Sequence, residues 1–383
     1  MIYLDYNATT PLDNRVLEAM VPFMKEHWGN PSSPYSFGNQ ARIAVLKARE
    51  RVAECLGCKS SEIIFTSCGT ESDNLAVRGV AQALRSRGNH IVTTAIEHHA
   101  VLNTCKSLEA EGYAITYLSP GSDGVIRTED VEKSLSPETT LITVMHANNE
   151  TGVLQPVDEI AAVAKRRGIV FHMDAVQTAG KIPRRLCEFG ADLVSISGHK
   201  FYGPKGVAVL YVREGTPLEP LLTGGPHERN LRAGTENVAG IIGLSHALVL
   251  AMESCASEYK RLQGLRDSFE SRIGSVEPRM KINGANAPRV PNTSSMSFES
   301  VDGESIVLGL DLQSIHVSTG SACSTGDPEP SHVLLAMGLS SKEAQGSIRI
   351  SLGKDSREEH IDTVVDALAG TVKRLRGISS MEN

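Results

Sequence analysis

The stretch GIVFHMDA, residues 168–175, is apolar at most positions and ends in a carboxylate, Asp174. Apolar side chains at successive positions are typical of a β-strand that is buried on both faces of a parallel sheet. Similar runs, many of them separated by helical patterns, are EIIFTS (62–67), HIVTTA (90–95), AITYLS (114–119), LITVMHA (141–147), DLVSIS (192–197) and GVAVLYV (206–212). This alternation predicts an α/β domain with a mostly parallel sheet.

A second, smaller α+β domain is predicted towards the C-terminus. A long helical stretch, residues 236–275, leads into it, and the strand-like runs SSMSFES (294–300) and SIRIS (347–351) then alternate with helical patterns. We therefore expect residues 14–258 to form a large domain, and residues 1–13 together with 259–383 to form a small one.

Composition limits the class of protein. The 383 residues carry a formal net charge of −7, which argues against a general nucleic-acid binder because such proteins usually present a basic face. No run of about 18 apolar residues and no signal peptide is apparent, so we expect no membrane span and a cytoplasmic location. Seven scattered cysteines fit a reducing compartment better than a disulfide framework. Cys55 and Cys58 form a single CxxC pair, for which a structural role is favoured, and no metal is expected.

Polar side chains follow several of the predicted strands at the point where each strand ends. Ligands of parallel α/β sheets bind at these carboxyl ends, so we expect the side chains to meet in one site. The residues are Gly69, Thr70, His98, Asn149, Asp174, Gln177, Ser197, His199 and Lys200.

Four of these residues suit the ring of pyridoxal phosphate. The cofactor needs a lysine for its Schiff base and an acid that faces its pyridinium nitrogen, and Lys200 and Asp174 are the candidates. The His98 ring would stack on the pyridine face, and Gln177 would hydrogen-bond the ring oxygen. Each residue alone has an ordinary structural interpretation, but one cofactor requires the combination.

The phosphate of the same cofactor would bind at a predicted helix start. Gly69 and Thr70 begin a helix directly after the first strand, where backbone N–H groups point at an anion. Ser197 and His199 would add further donors to this phosphate site.

The motifs around these residues resemble those of cysteine desulfurases. They include HMDAVQTAGK (172–181), SGHKFYGPKG (197–206), HANNETGVLQP (146–156), LDYNATTP (4–11), FTSCGTESDN (65–74), EHHAV (97–101), LRAGTENV (231–238), STGSACSTG (318–326) and GSIRISLG (346–353). The chain is identified as a member of the group I cysteine desulfurases, of the iron–sulfur cluster or nitrogen-fixation type, within the class V aminotransferase family. This resemblance implies the type I pyridoxal-phosphate fold, which is aspartate aminotransferase-like, and a homodimer.

The resemblance also implies a reaction. Such enzymes are sulfurtransferases that convert L-cysteine to L-alanine and pass the sulfur to an acceptor protein, such as an iron–sulfur scaffold. Cys323 matches the nucleophile that receives the sulfur as a persulfide, and its small, polar loop would leave it free to move. Lys200 would take the Cα proton of the substrate, and His98 would donate or accept a proton.

Further residues take roles from the same resemblance. Arg349 matches the clamp for the substrate carboxylate, with Asn149 beside it, and Asn7 and Ala8 match other substrate-binding positions. Thr235 matches a residue that reaches across the dimer to the phosphate held by the partner subunit.

Other functions stay open at this point. A selenocysteine lyase or another pyridoxal-phosphate enzyme, such as an aminotransferase, would use the same cofactor residues, although an aminotransferase needs no loop cysteine. A non-catalytic sulfur-carrier scaffold subunit would keep the fold alone, but Lys200, Asp174, Cys323 and Arg349 are all present. An oxidoreductase with a dinucleotide fold is disfavoured because no GxGxxG follows the first strand.

Three positions depart from the family pattern. Tyr35 stands where histidine is common, Pro226 replaces a glycine, and Cys68-Gly69 replaces the commoner Gly-Ala. We expect Cys68 to lie near the phosphate site, with a packing role favoured.

Overall fold

The computed structural model describes residues 1–319 and 330–379. The predicted nucleophile Cys323 lies outside the described residues.

The elements begin with a short strand and two helices and then alternate. The strands are β1 (Ile2–Tyr3), β2 (Ile63–Thr66), β3 (His90–Thr94), β4 (Ala114–Leu118), β5 (Thr139–Met145), β6 (Val170–Asp174), β7 (Leu193–Ser197), β8 (Ala208–Val212), β9 (Met280–Ile282), β10 (Thr293–Phe298), β11 (Ile315–His316), β12 (Ser318–Thr319) and β13 (Ser347–Ser351). The helices are α1 (Asn14–Lys25), α2 (Ser36–Leu56), α3 (Gly69–Ala83), α4 (His99–Ala110), α5 (Thr128–Ser134), α6 (Val157–Arg167), α7 (Val238–Val276), α8 (Gly303–Asp311), α9 (His332–Ala336), α10 (Ser341–Gln345) and α11 (Glu358–Ser379).

A seven-stranded sheet with the order β2-β8-β7-β6-β5-β3-β4 forms the centre of the protein. All seven runs predicted from the sequence are strands of this sheet, and only β8 runs antiparallel to its neighbours. Strand β8 runs antiparallel to β7 because the connection between them is short. A parallel pair needs a crossover of a dozen or more residues. The parallel strands therefore end at one edge, and the turn after β7 carries Lys200 to that edge.

A smaller, four-stranded antiparallel sheet with the order β12-β13-β10-β9 carries its own hydrophobic core. Leu4, Phe269, Ile348 and Leu368 are among the fully buried side chains of this core. Strand β1 pairs in parallel with β11 beside it, so the first residues of the chain pack with the C-terminal part.

Helix α7 connects the two cores. By length and composition it is the one helix in the described residues that could cross a membrane. However, Leu244 and Leu248 are buried in the core of the large sheet, and Leu265 and Phe269 are buried in that of the small sheet. The helix is therefore a core helix of this fold.

The CxxC pair lies where helix α2 ends. Gly57 adopts φ = 80°, which terminates the helix after Leu56. Cys55 and Cys58 pack from either side of this cap against the large core. Both thiols thus contribute packing contacts, which fits the structural interpretation of the pair.

Candidate active site

The carboxyl ends of the parallel strands open on a cavity of about 260 Å³. Its lining contains nearly all of the described residues that the sequence predicts, namely Asn7, Ala8, Gly69, Thr70, His98, Asn149, Asp174, Gln177, Ser197, His199, Lys200 and Arg349. Thr235 is exposed and does not line this cavity.

Lys200 reaches the cavity from the tight turn after β7. The backbone N–H of Gly203 donates to the carbonyl of Gly198 over 3.0 Å, and a Cβ on Gly203 would lie only 2.8 Å from that oxygen. The turn thus requires glycine, and it aims the lysine at the N-terminal segment. Lys200 Nζ donates to the backbone carbonyls of Asn7 and Ala8, over 2.6 and 2.8 Å.

Asp174 is the last residue of β6 and is buried. Its Oδ1 accepts a hydrogen bond from the backbone N–H of Val176 over 2.9 Å. Burial raises the pKa of Asp174 to about 6, while this hydrogen bond and the charge of Lys200 act in the opposite direction. A carboxyl group with such a pKa can hold negative charge at neutral pH opposite a bound cation.

The N-terminus of helix α3 forms one wall of the cavity. A Cβ on Gly69 would lie 3.1 Å from Cγ2 of Val176, so glycine keeps this wall open. The first N–H groups of a helix have no partner within the helix and favour an anion. Glu71 in the same turn is paired with Arg232, whose Nε donates over 2.8 Å, so its charge does not oppose an anion there.

Cys68 lies beside the start of helix α3, where we expect the phosphate site, but its exposure does not fit the packing role that the sequence favoured. It is exposed, lines the cavity, and caps helix α3, because its Sγ accepts from the backbone N–H of Glu71 over 3.4 Å. A residue with a polarisable side chain can occupy the N-cap position usually held by Ser, Thr, Asp or Asn, and this capping role explains the exposure.

Arg349 points into the cavity from β13 and is 2% exposed. Its Nη1 donates to the carbonyl of Asn149 over 3.0 Å, and its Nη2 donates to Oδ1 of Asp5 over 2.7 Å. Among the described residues its buried Nε has no hydrogen-bond partner. A guanidinium with a donor left over in a closed cavity suits a carboxylate ligand.

His98 is held as a neutral ring at the start of helix α4. Its Nδ1 accepts from the backbone N–H of Ala100 over 3.1 Å, so the ring proton of the neutral form is on Nε2. Burial lowers the pKa of His98 to about 4, and the charge of Lys200 contributes in the same direction. At neutral pH the uncharged ring can stack on a flat ligand and can accept or return a proton.

Asp73 was missed from the sequence, although it lies one helical turn after Gly69 and lines the cavity. Burial and the nearby charge of Asp174 raise its pKa well above the usual range. In the described part of the chain its Oδ1 has no hydrogen-bond partner. The i, i+4 spacing from Gly69 was the signal that could have identified it.

The residues present fit pyridoxal phosphate. The cavity offers an amine at Lys200, a buried carboxyl at Asp174, and a helix N-terminus whose first residue has no side chain. In its wall, Arg349 Nε has no hydrogen-bond partner within residues 1–319 and 330–379, whereas Asp73 Oδ1 lies 3.6 Å from Nε2 of His172. A cationic donor is costly to bury without a ligand, so an anionic cofactor–substrate pair is the group the site suits.

The fold and the cavity define a class V aminotransferase, and the model of the family Aminotransferase class-V matches residues 2–364. The chain is 51% identical to the cysteine desulfurase IscS of Dictyoglomus turgidum (strain DSM 6724 / Z-1310), over 99% of this chain and 96% of that protein. The chain belongs to the cysteine desulfurases, which use pyridoxal phosphate and take cysteine as substrate.

Solved structures agree with this assignment. A NifS-like protein superposes with a TM-score of 0.91 at 41% identity, covering 98% of this chain and all of the other. The structure of SspA in complex with cysteine has a TM-score of 0.79 at 36% identity, covering 92% of this chain and 99% of the other.

Proposed function

We propose that this cysteine desulfurase converts L-cysteine to L-alanine and carries the sulfur as a persulfide on Cys323. The observation that carries the proposal is the meeting of Lys200, Asp174 and Arg349 in one cavity. An amino acid substrate requires a cation that binds its carboxylate and an amine that accepts its Cα proton.

The two ends of the segment that contains Cys323 support its role. Strand β12 ends at Thr319 and pairs with β13 at Ile348 and Arg349. Since four residues of extended chain span at most about 14 Å, Cys323 stays within that distance of Thr319. The described strand that leads to Cys323 thus ends beside the strand that carries Arg349, which supports the proposed role.

The described chain resumes after the segment at residues that contact the large domain. The hydroxyl of Ser331 donates to the carboxylate of Glu150, and burial raises the pKa of Glu150 to about 7. His332 Nε2 lies 3.0 Å from the carbonyl of Glu97, the residue directly before His98. The described chain thus resumes close to the residue that precedes His98.

The roles of the residues follow from their positions. Pyridoxal phosphate, when bound, stabilises the negative charge that develops at the substrate Cα. Asp174 would hold the proton on the ring nitrogen, Arg349 would bind the substrate carboxylate, and Lys200 would accept the Cα proton. His98, as a neutral imidazole without a proton on Nδ1, would stack on the ring of the cofactor and take part in proton transfer.

The sulfur transfer would balance within the protein. The thiolate of Cys323 would attack the substrate sulfur, so that an S–S bond forms while the Cβ–S bond breaks. The electron pair of the broken bond would remain with the substrate carbon, which would then take up a proton to give alanine.

The partners are also part of this proposal. We infer a homodimer in which Thr235, exposed here, reaches the phosphate held by the partner subunit. We further infer a sulfur-acceptor protein such as an iron–sulfur scaffold, a cytoplasmic location, no association with membranes, no direct binding of nucleic acid and no metal.

We also propose a division of the chain into two domains. We place the large domain at residues 14–258 and the small one at residues 1–13 with 259–383. The separate cores of the two sheets support this division, because Leu4 and Leu262 belong to the smaller core and Leu248 to the larger one.

The proposal is tested by locating the sulfur. Purified enzyme with bound pyridoxal phosphate is given L-cysteine without reductant, and alanine is quantified while the alkylated protein is mapped by mass spectrometry. We expect one added sulfur on the peptide that contains Cys323 and an equal amount of alanine. Alanine formed with the sulfur on another cysteine would contradict the role of Cys323, and no alanine would contradict the reaction.

Substituting Arg349→Lys is expected to raise the KM for L-cysteine by about 10- to 100-fold, because a lysine cannot offer the planar, two-pronged donor set of arginine. Steady-state kinetics would measure this change. Arg289→Lys is the matched control, since Arg289 makes a buried two-pronged pair with Glu270 outside the cavity lining. An equal rise in KM for both variants would show that the effect is not specific to the site.

A further inference from the structure

A second lysine lies behind Lys200. Lys181 Nζ donates to Oε1 of Gln177 over 3.1 Å and to Oδ1 of Asn7 over 3.5 Å. Lys200 contacts the backbone carbonyl of the same Asn7. The two lysines therefore share one residue, and neither the proposed reaction nor the sequence patterns give Lys181 a role.

The backbone directly before Lys181 packs closely against neighbouring elements. Gly180 adopts φ = 69°, and a Cβ at this position would lie 2.7 Å from Cβ of Ala251 and 3.3 Å from Cβ of Phe201. Only glycine fits this close approach to helix α7. The turn after Gln177 consequently folds back, and the side chain of Lys181 returns to the residue four positions before it.

The contacts of Lys181 determine the orientation of the Gln177 amide. Because Oε1 accepts from Lys181, the amide nitrogen faces the other way and donates to the carbonyl of Asn7 over 3.0 Å. A lysine has only donors, so the reversed amide would be unfavourable. Lys181 thus fixes which end of the Gln177 amide carries the NH₂ group, the donor that a ring oxygen requires.

We propose that Lys181 is a positioning residue of the desulfurase site, which fixes the amide of Gln177 and disfavours a proton on the nitrogen of Lys200. The inference rests on the proposed role of Lys200. It concerns two half-buried amines held against one residue, Asn7, where like charges repel.

The surrounding charges favour this coupling. Burial, with the charges of Lys200 and Arg349, lowers the pKa of Lys181 to about 7, and Lys181 in turn contributes to the lowered pKa of His199. The cavity on the far side of Lys181 also contains carboxylates. However, Asp13 is paired with Arg15 and Lys354, and Glu258 is paired with Arg261, so these carboxylates are already balanced by other cations.

The test is a spectroscopic pH titration of the holoenzyme without substrate. The visible absorbance of the bound pyridoxal phosphate changes when the nitrogen that joins it to Lys200 loses its proton. Lys181 with a pKa of about 7 carries part of a positive charge near neutral pH, and Lys181→Met removes it, so a proton on that nitrogen becomes easier to keep. We expect the midpoint of the titration to rise by about one pH unit relative to wild type.

Three further variants separate this effect from a structural one. Lys181→Gln, which also removes the charge, should raise the midpoint similarly and serves if the methionine variant does not fold. Lys181→Arg carries a full positive charge, has room in the adjacent cavity of about 240 Å³, and should give a midpoint at or below that of wild type. Lys205→Met changes an exposed lysine beside the same turn and should leave the wild-type midpoint unchanged.

Two results would overturn the inference. One is an unchanged midpoint in the uncharged variants, and the other is an arginine variant that shifts as far as they do. A wild-type protein that shows no pyridoxal-phosphate spectrum would instead contradict the proposed function itself, so the two failures are distinguishable.

Discussion

The Lys200→Met variant is expected to lose desulfurase activity by at least about 10⁴-fold, because an amine that acts in both binding and proton transfer has no substitute in methionine. Methionine has a similar length but no N–H group, so the two hydrogen bonds to the carbonyls of Asn7 and Ala8 are also lost. The rate of alanine formation and the visible spectrum of the purified protein would measure both effects. We expect the wild-type absorbance band of the lysine-bound cofactor to be absent.

Lys205→Met is the matched control for this variant. Lys205 lies in the same connection between β7 and β8 but is exposed. Its substitution should leave both the rate and the spectrum close to those of wild type. If Lys200→Met retained more than a small fraction of the activity, another amine would have to join the cofactor, and the proposed site would be wrong.

The second large effect concerns Cys323. Cys323→Ala is expected to reduce the release of alanine and sulfide by at least about 10³-fold, since removal of a nucleophile removes the covalent route. Binding of pyridoxal phosphate should be unchanged, because the residues that would hold it lie at the ends of the large sheet's strands, in the turns that follow them and at the start of α3. The assay supplies L-cysteine and a reductant and records alanine, sulfide and the visible spectrum together.

Cys68→Ala provides a stringent comparison for Cys323→Ala. The thiol of Cys68 is exposed and lines the cavity, so it is the described cysteine best placed to attack a substrate there. Its loss should weaken only the cap of helix α3 and leave the rate of sulfide release nearly unchanged. A large loss of activity in Cys68→Ala, with Cys323→Ala active, would transfer the nucleophilic role to Cys68.

The ends of the strands were predictable from the sequence, because a strand that is buried on both faces is an apolar run that stops at a polar residue. This is why Asp174 and Lys200, 26 positions apart, could be placed in one site before the fold was known. The hydrogen bonds of Lys200 to Asn7 were not predictable, because the two residues are separated by 193 positions. Such contacts depend on the packing of the N-terminal segment, which has no periodic pattern of its own.

Other features escaped prediction for local reasons. Strands β11 and β12 have two residues each, too few to show any alternation. The exposure of Cys68 depends on the geometry of the cap at α3, and the return of Lys181 to Gln177 depends on a positive φ at Gly180. A sequence pattern records which residues are apolar, but it does not record the direction in which a turn sends a side chain.

Several residues of the site contact the same residue, Asn7. Its side chain and backbone together contact Gln177, Lys181, Lys200 and Asn292, and its amide donates to the same carbonyl of Asn149 that accepts from the substrate clamp. Neighbours that share one residue do not contribute additively to stability or activity. Lys181 and Asn292 both contact the side-chain oxygen of Asn7, so we expect substitutions of these three residues to have non-additive effects.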